Sequence, residues 1–202
     1  TRRGEQRWLR LHHLPCFDAT GALTRIMVVG EDITQARELE DEQQRRVQQA
    51  EAQGRLLQAH VGASRQHLLL SSPQPRALRT ADIALGHLNA VVRTDERLRE
   101  ITLGQWEGLG HDEIAKAQDL DEDDVFWWMD LAPEGEGHAA VAARVATLLT
   151  EISGPTIMVT HGITACHLRG QLLGLSMPEI AKLPCDQGVV YCIREGVEQV
   201  LR

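Results

Sequence analysis

Aromatic residues are scarce: two Phe, one Tyr and four Trp make up 3% of 202 residues. Leu, Val, Ile and Ala must therefore build the core, and an apolar fraction of 43% is ordinary for a globular chain. No Cys-x-x-Cys pair occurs; Cys16, Cys166, Cys185 and Cys192 are scattered. That spacing predicts reduced cytosolic thiols and argues against a disulfide framework or a zinc site. No apolar run is long enough to cross a bilayer and no signal-peptide layout opens the sequence; a cytoplasmic protein with no membrane partner is expected. Basic charge is also short, 21 Lys and Arg against 29 Asp and Glu for a net charge of −8. A nucleic-acid surface needs clustered cations and is not expected, whereas a few local arginines suffice to hold one phosphate. There is no internal repeat and no low-complexity tract, and the acidic run Asp119–Asp124 reads as a solvated loop. The sequence begins at Thr1 without methionine, as expected of a piece of a longer chain.

What is present divides into two parts. Arg7 to Thr34 has strand character: Trp8–Leu14 alternates in part, Asp18-Ala19-Thr20-Gly21 is a turn signal, and Leu23–Gly30 is rich in Ile, Met and Val. A hairpin results, marginal unless its apolar face is covered. Asp32 and Thr34 then offer caps for a polar helix over residues 35–60. Its possible heptad seam, Ala36, Gln43, Ala50 and Leu57, is too polar for a coiled coil, so a surface helix is expected. Beyond it the chain alternates in the α/β manner. Strands are expected at His67–Leu70, Ala90–Arg93, Thr156–Thr160, Val189–Ile193 and Glu198–Leu201. Helices are expected at Arg76–Leu88, His111–Gln118, Ala139–Ile152 and Thr164–Leu173.

Three segments carry chemistry. Ser71-Ser72-Pro73-Gln74-Pro75-Arg76 places a Ser/Pro loop after a strand and opens a helix with an arginine. Free amides, the positive end of the helix dipole and a bidentate guanidinium would converge there on an anion. Asp95 to Gly108 sets Glu100 beside a Gly104-Gln105-Trp106-Glu107-Gly108 turn. Thr156–Thr160 is an apolar strand that ends in His161-Gly162, the usual address of a catalytic loop at the carboxyl edge of a parallel sheet.

In this order the three segments resemble the histidine phosphatase, or phosphoglycerate-mutase-like, superfamily. Further likeness lies in Gln49-Ala50 and Gly54-Arg55-Leu56-Leu57, similar to its first helix. Pro133-Glu134-Gly135-Glu136-Gly137 is similar to its Pro-Gly-Gly-Glu-Ser loop, with Arg144 on the helix after it. The resemblance covers about residues 39–202. It implies a three-layer α/β fold with helices on both faces of the sheet, phosphomonoester hydrolysis, a small phosphorylated molecule or phosphate as ligand, and no cofactor or metal. It makes Arg76 a phosphate-binding arginine, Glu100 the proton donor to the leaving oxygen, and His161 the stabiliser of the transferring phosphoryl group beside the Gly162 backbone. Such donors answer a transition state whose negative charge spreads over several oxygens.

The family's nucleophile motif, Arg-His-Gly, is absent from the chain. Residues 1–38 stand in its place and resemble the C-terminal end of a PAS sensory domain, through the Arg7-Trp8 strand, Pro15, the Asp18-to-Gly21 turn and Gly30-Glu31-Asp32-Ile33-Thr34. Only the last two strands of such a domain are covered, so no enclosed haem, flavin or other ligand is expected. Ile26–Glu31 is apolar enough to replace the missing first strand beside Met158, but it brings no histidine. Arg2-Arg3-Gly4-Glu5 echoes the motif, yet an arginine stays protonated and cannot attack phosphorus. His12 and His13 lack the following glycine and read as strand residues; with Cys16 they offer too few ligands for a metal.

Two readings follow: a phosphatase-like domain with a phosphate pocket that is weak or inactive, or a PAS-linked signalling or interaction protein, or chimeric fragment, without catalysis. Residues 119–136, with Phe126, Trp127 and Trp128, would form the loop that sets the substrate, its aromatics expected mainly to pack a helical cap. The hairpin edge or the helix after Thr34 offers a surface for a homodimer.

Overall fold

The computed structural model describes residues 7–17, 23–61, 67–118 and 126–202, with the backbone alone at residues 9, 11–17, 23–29, 111 and 117. The Arg2–Glu5 echo, the expected Asp18–Gly21 turn and the acidic run at 119–124 lie outside the described residues. Two compact units divide the chain, residues 1–48 and 49–202.

In the first unit β1 (Leu9–Phe17) pairs antiparallel with β2 (Leu23–Asp32), with Leu9 opposite Asp32 and His12 opposite Val29. Asp32 ends the hairpin and starts the helix α1 (Thr34–Val61): its Oδ1 accepts from the Thr34 amide at 3.0 Å and hydroxyl at 2.7 Å. Those bonds, the hydroxyl first, lower the Asp32 pKa against the opposing effect of burial. Ile26–Glu31 was expected to be able to stand beside Met158 as a substitute strand; it lies in β2, and the pairing corrects this. Its partner is β1, reached through a short connection with little loop entropy to lose.

The second unit holds three parallel strands, β3 (Leu68–Ser71), β4 (Val92–Thr94) and β5 (Thr156–Val159), in the order β4-β3-β5. Their side chains alternate between two cores, as period-two strands buried on both faces must. Leu69, Ile157 and Val159 meet Leu57 of α1 and Ala81, Ala84 and Leu85 of α2 (Pro75–Leu85). Leu70 and Met158 meet Val141, Val145 and Leu148 of α4 (Gly137–Glu151) and Leu168 of α5 (Gly162–Leu173). The sheet is thus a middle layer between helices, as the resemblance implied. Between α1 and α2 the backbones come close at Gly54, where a Cβ would lie 2.9 Å from the Ala84 carbonyl oxygen.

Elements outside this sandwich complete the unit. The helix α3 (His111–Gln118) follows the Gly104–Trp106 turn. A single helical turn, α6 (Met177–Ile180), was not expected; Ser176 and Glu179 close it in a capping box. The strands β6 (Val190–Arg194) and β7 (Val197–Leu201) form an antiparallel hairpin. Its two-residue turn has Glu195 at φ 53° and Gly196 at φ 75°, the left-handed pair that matches strand twist.

Candidate functional site

The carboxyl edge of the parallel sheet delivers the expected residues to one place. Ser71 ends β3, and Ser72 with Gln74, the N-cap of α2, leads to Arg76 in the first turn. After β5, His161 is the N-cap of α5 and Gly162 its first residue. Glu100 follows a 3-10 turn (Glu96–Leu98) that comes after β4.

Hydrogen bonds join Arg76 to His161 directly and to Glu100 through Gln74. Arg76 Nε donates to His161 Nδ1 at 3.1 Å, and the Arg76 guanidinium donates to Gln74 Oε1 at 3.3 Å. That same amide oxygen accepts from the Glu100 backbone N–H at 3.1 Å. His161 Nε2 lies 2.8 Å from the hydroxyl oxygen of Ser72, a fully buried side chain. His161 itself is half-buried. Its burial first, and then the positive charges of Arg76, Arg144 and Arg99, push its pKa down to about 4, so the ring is neutral at pH 7.

Glu100 occupies the amino end of α5. Its Oε1 accepts from the backbone amides of Thr164 at 3.1 Å and Ile101 at 3.2 Å, and its Oε2 accepts from the Ile163 amide at 3.2 Å. A Cβ at Gly162 would lie 3.7 Å from Oε2, in ordinary contact, so the carboxylate does not by itself require a glycine there. Behind Glu100, Thr164 donates its hydroxyl to the Arg99 carbonyl and accepts from Arg144 at 3.3 Å. Arg144 in turn grips Glu136 with two bonds of 3.0 Å, and Glu136 Oε1 accepts from the Thr102 amide at 3.1 Å. The Pro133-to-Gly137 segment and Arg144 therefore buttress the Glu100 loop.

Ser72, Gln74 and Thr164 had no role assigned from sequence, although they flank the motifs that were singled out. A serine three residues before Pro-Arg and a threonine three residues after His161 are signals too common to read without coordinates.

Of the aromatic trio, Phe126 and Trp128 are buried as packing residues. Phe126 stacks on His138 with ring centres 3.8 Å apart, and Trp128 lies 5.7 Å from Trp106, while Trp127 is 39% exposed. His138 and His167, both fully buried, meet at 3.0 Å, and His138 Nε2 donates to the Phe126 carbonyl at 2.7 Å. His12 and His13 lie in β1, with no side chain described. No metal-sized cluster of ligating side chains occurs among the described residues.

One expectation about the cysteines is corrected. Cys166 of α5 and Cys185 of the loop before β6 form a disulfide, 19 residues apart in sequence. Spacing could not reveal it, because tertiary folding alone brings the loop onto α5. Cys192 is a free, exposed thiol. No helix among the described residues is long and apolar enough to cross a membrane.

This arrangement has relatives. Residues 43–199 match the family described as the histidine phosphatase superfamily (branch 1). A glucosyl-3-phosphoglycerate phosphatase of Mycolicibacterium vanbaalenii is 38% identical over 136 residues, which are 58% of this chain and 58% of that protein. The enzyme of the same name from Mycobacterium tuberculosis is 34% identical over 136 residues, 58% of this chain and 59% of its own length. This chain thus spans a little under three-fifths of the length of these relatives. Among solved structures, a mycobacterial glucosyl-3-phosphoglycerate phosphatase in complex with inorganic phosphate superposes with a TM-score of 0.57 at 30% identity, over 68% of this chain and 72% of that one. From the sheet-edge geometry and these matches together, the chain belongs to the histidine phosphatase superfamily.

Proposed function

We propose that residues 49–202 form a pocket for a small phosphorylated molecule, and that turnover there is weak or absent because no nucleophilic histidine motif is present. The observation that carries this reading is the convergence of Arg76, His161 and the amino end of α5 at one sheet edge, in a sequence without Arg-His-Gly. Arg76 is exposed and can turn its guanidinium to a phosphate while keeping its place in α2. Its Nε–H now rests on His161, so an anion competes with that bond. Glu100 is the proton carrier for a leaving oxygen in this reading. Its Oε2 accepts only one amide and keeps a lone pair to hold the proton. The names of the relatives point to a phosphate ester of a small hydroxy acid as the ligand class.

A Ser72 nucleophile activated by His161 is not supported by the donors present. Arg76 Nε–H has only a proton to offer Nδ1, so the neutral ring carries its own proton on Nε2 and cannot take one from Ser72.

The experiment is calorimetry with orthovanadate or phosphate on the whole chain. Binding that disappears in Arg76→Ala supports the pocket; no binding at millimolar anion sinks it. Hydrolysis of an aryl phosphate, abolished by His161→Ala, would overturn the claim of impaired catalysis.

The separate compact unit of residues 1–48 favours a second reading, in which a PAS-derived hairpin and helix make this a signalling or interaction protein, with the hairpin edge or α1 joining two copies. Phosphate affinity would then be absent. The Cys166–Cys185 disulfide removes the thiol argument for a cytoplasmic setting.

A further inference from the structure

We propose that Ser72 is a positioning residue of this pocket: its hydroxyl oxygen receives the Nε2 proton of His161 and holds the imidazole as an N–H donor in one orientation. The assignment rests on the reading of His161 as part of an anion pocket, and it follows from counting donors. Arg76 has no acceptor atom, so the 3.1 Å contact of its Nε with His161 Nδ1 requires Nδ1 to be bare. A neutral ring with bare Nδ1 carries its proton on Nε2, 2.8 Å from Ser72 Oγ. Ser72 must therefore accept. Its second lone pair takes the Gln74 backbone N–H at 3.3 Å, which leaves neither lone pair for another donor.

The surroundings fix Ser72 in place. The residue has 0% exposure, so no water replaces the bond if it is lost. It sits between the end of β3 and the N-cap of α2, and its amide donates to the Val159 carbonyl at 2.9 Å, which ties it to β5 just ahead of His161. The two partners of the ring differ in kind. Arg76 is exposed, lies on a flexible stem and is the group an anion would draw away. Ser72 cannot follow. When Arg76 leaves, the Ser72 bond still keeps the ring from rotating about Cβ–Cγ, with Nε2 turned to the buried hydroxyl and Nδ1 on the face that Arg76 vacates.

The test uses the full chain labelled with 15N-histidine, and His161 is identified by its disappearance in His161→Asn. At pH 7, two-bond 1H–15N correlation should show His161 as the Nε2–H tautomer, with a protected Nε2 proton signal. That signal should vanish in Ser72→Ala and return in Ser72→Thr. Orthovanadate affinity should fall about tenfold in Ser72→Ala, the worth of one net hydrogen bond, and recover in Ser72→Thr. A wild-type spectrum with the proton on Nδ1 overturns the assignment, even if the variants fail to fold. So does an Nε2 proton signal unchanged in Ser72→Ala. If the signals behave as stated but wild type binds no vanadate, the pocket reading fails while the Ser72 assignment stands.

Discussion

Arg169 holds Glu198 through two parallel hydrogen bonds, Nε to Oε1 at 2.6 Å and the terminal guanidinium nitrogen to Oε2 at 2.8 Å. The pair joins α5, which begins at the pocket, to β7. The same guanidinium donates to the Pro184 carbonyl at 2.6 Å and lies 3.7 Å from the centre of the Tyr191 ring. Arg169 is 3% exposed, so removing its partner strands a charge. Glu198→Ala should cost about 3 kcal/mol in urea unfolding, and a loss under 1 kcal/mol would show the pair to be solvated in solution.

Acid should destabilise the second unit in a defined window. His161 and His167 both have pKa values pushed down from 6.5 to about 4, by burial first; Arg76 follows for His161 and the His138 ring for His167. A depressed histidine binds its proton more weakly folded than unfolded. Stability is therefore full above about pH 6.5 and falls as the pH drops towards 4. The carboxylates with lowered values, such as Asp95 and Glu179, start from 3.8 and 4.5 and so act below most of this window. Urea midpoints should fall steadily from pH 6.5 to 4, with a shallower slope in His167→Gln. An unchanged slope in that variant would exclude His167 as a source.

Reduction should weaken the attachment of the loop before β6. A disulfide that closes a loop of this size contributes about 3 kcal/mol through the unfolded state. Melting should drop by several degrees in excess dithiothreitol, and Cys185→Ser should melt at that lower temperature with or without it. A wild-type melting point indifferent to reductant, with three or more titratable thiols, would show the bridge unformed in solution.

Overpacking at the junction of α1 and α2 gives a fourth check. Gly54→Ala improves helix propensity but drives a Cβ to 2.9 Å from the Ala84 carbonyl oxygen, where backbone cannot give way cheaply. A net loss of about 1–3 kcal/mol is expected by thermal or urea unfolding. A gain would mean that the two helices separate without penalty.

Much of the fold was legible because its signals are local. Apolar runs bounded by turn residues marked β3 and β5, and helical periodicity with Gly174 as terminator marked α5. Arg76, Glu100, His161 and Gly162 were found by motif and do converge. Their partners were not legible: Ser72, Thr164 and Gln74 are ordinary residues whose bonds run 26 to 89 positions along the chain. The substitute-strand expectation for Ile26–Glu31 failed on pairing, because an apolar pattern states that a strand exists and not which neighbour it takes.

By itself the sequence determined the alternation of strands and helices, the family motifs, and the absence of Arg-His-Gly, since each is a property of neighbouring residues. Only the tertiary structure decided that Glu100 caps α5, that Ser72 and Arg76 share the two nitrogens of His161, and that Cys166 meets Cys185. Those contacts depend on the angle and register at which distant elements pack, which no local pattern encodes.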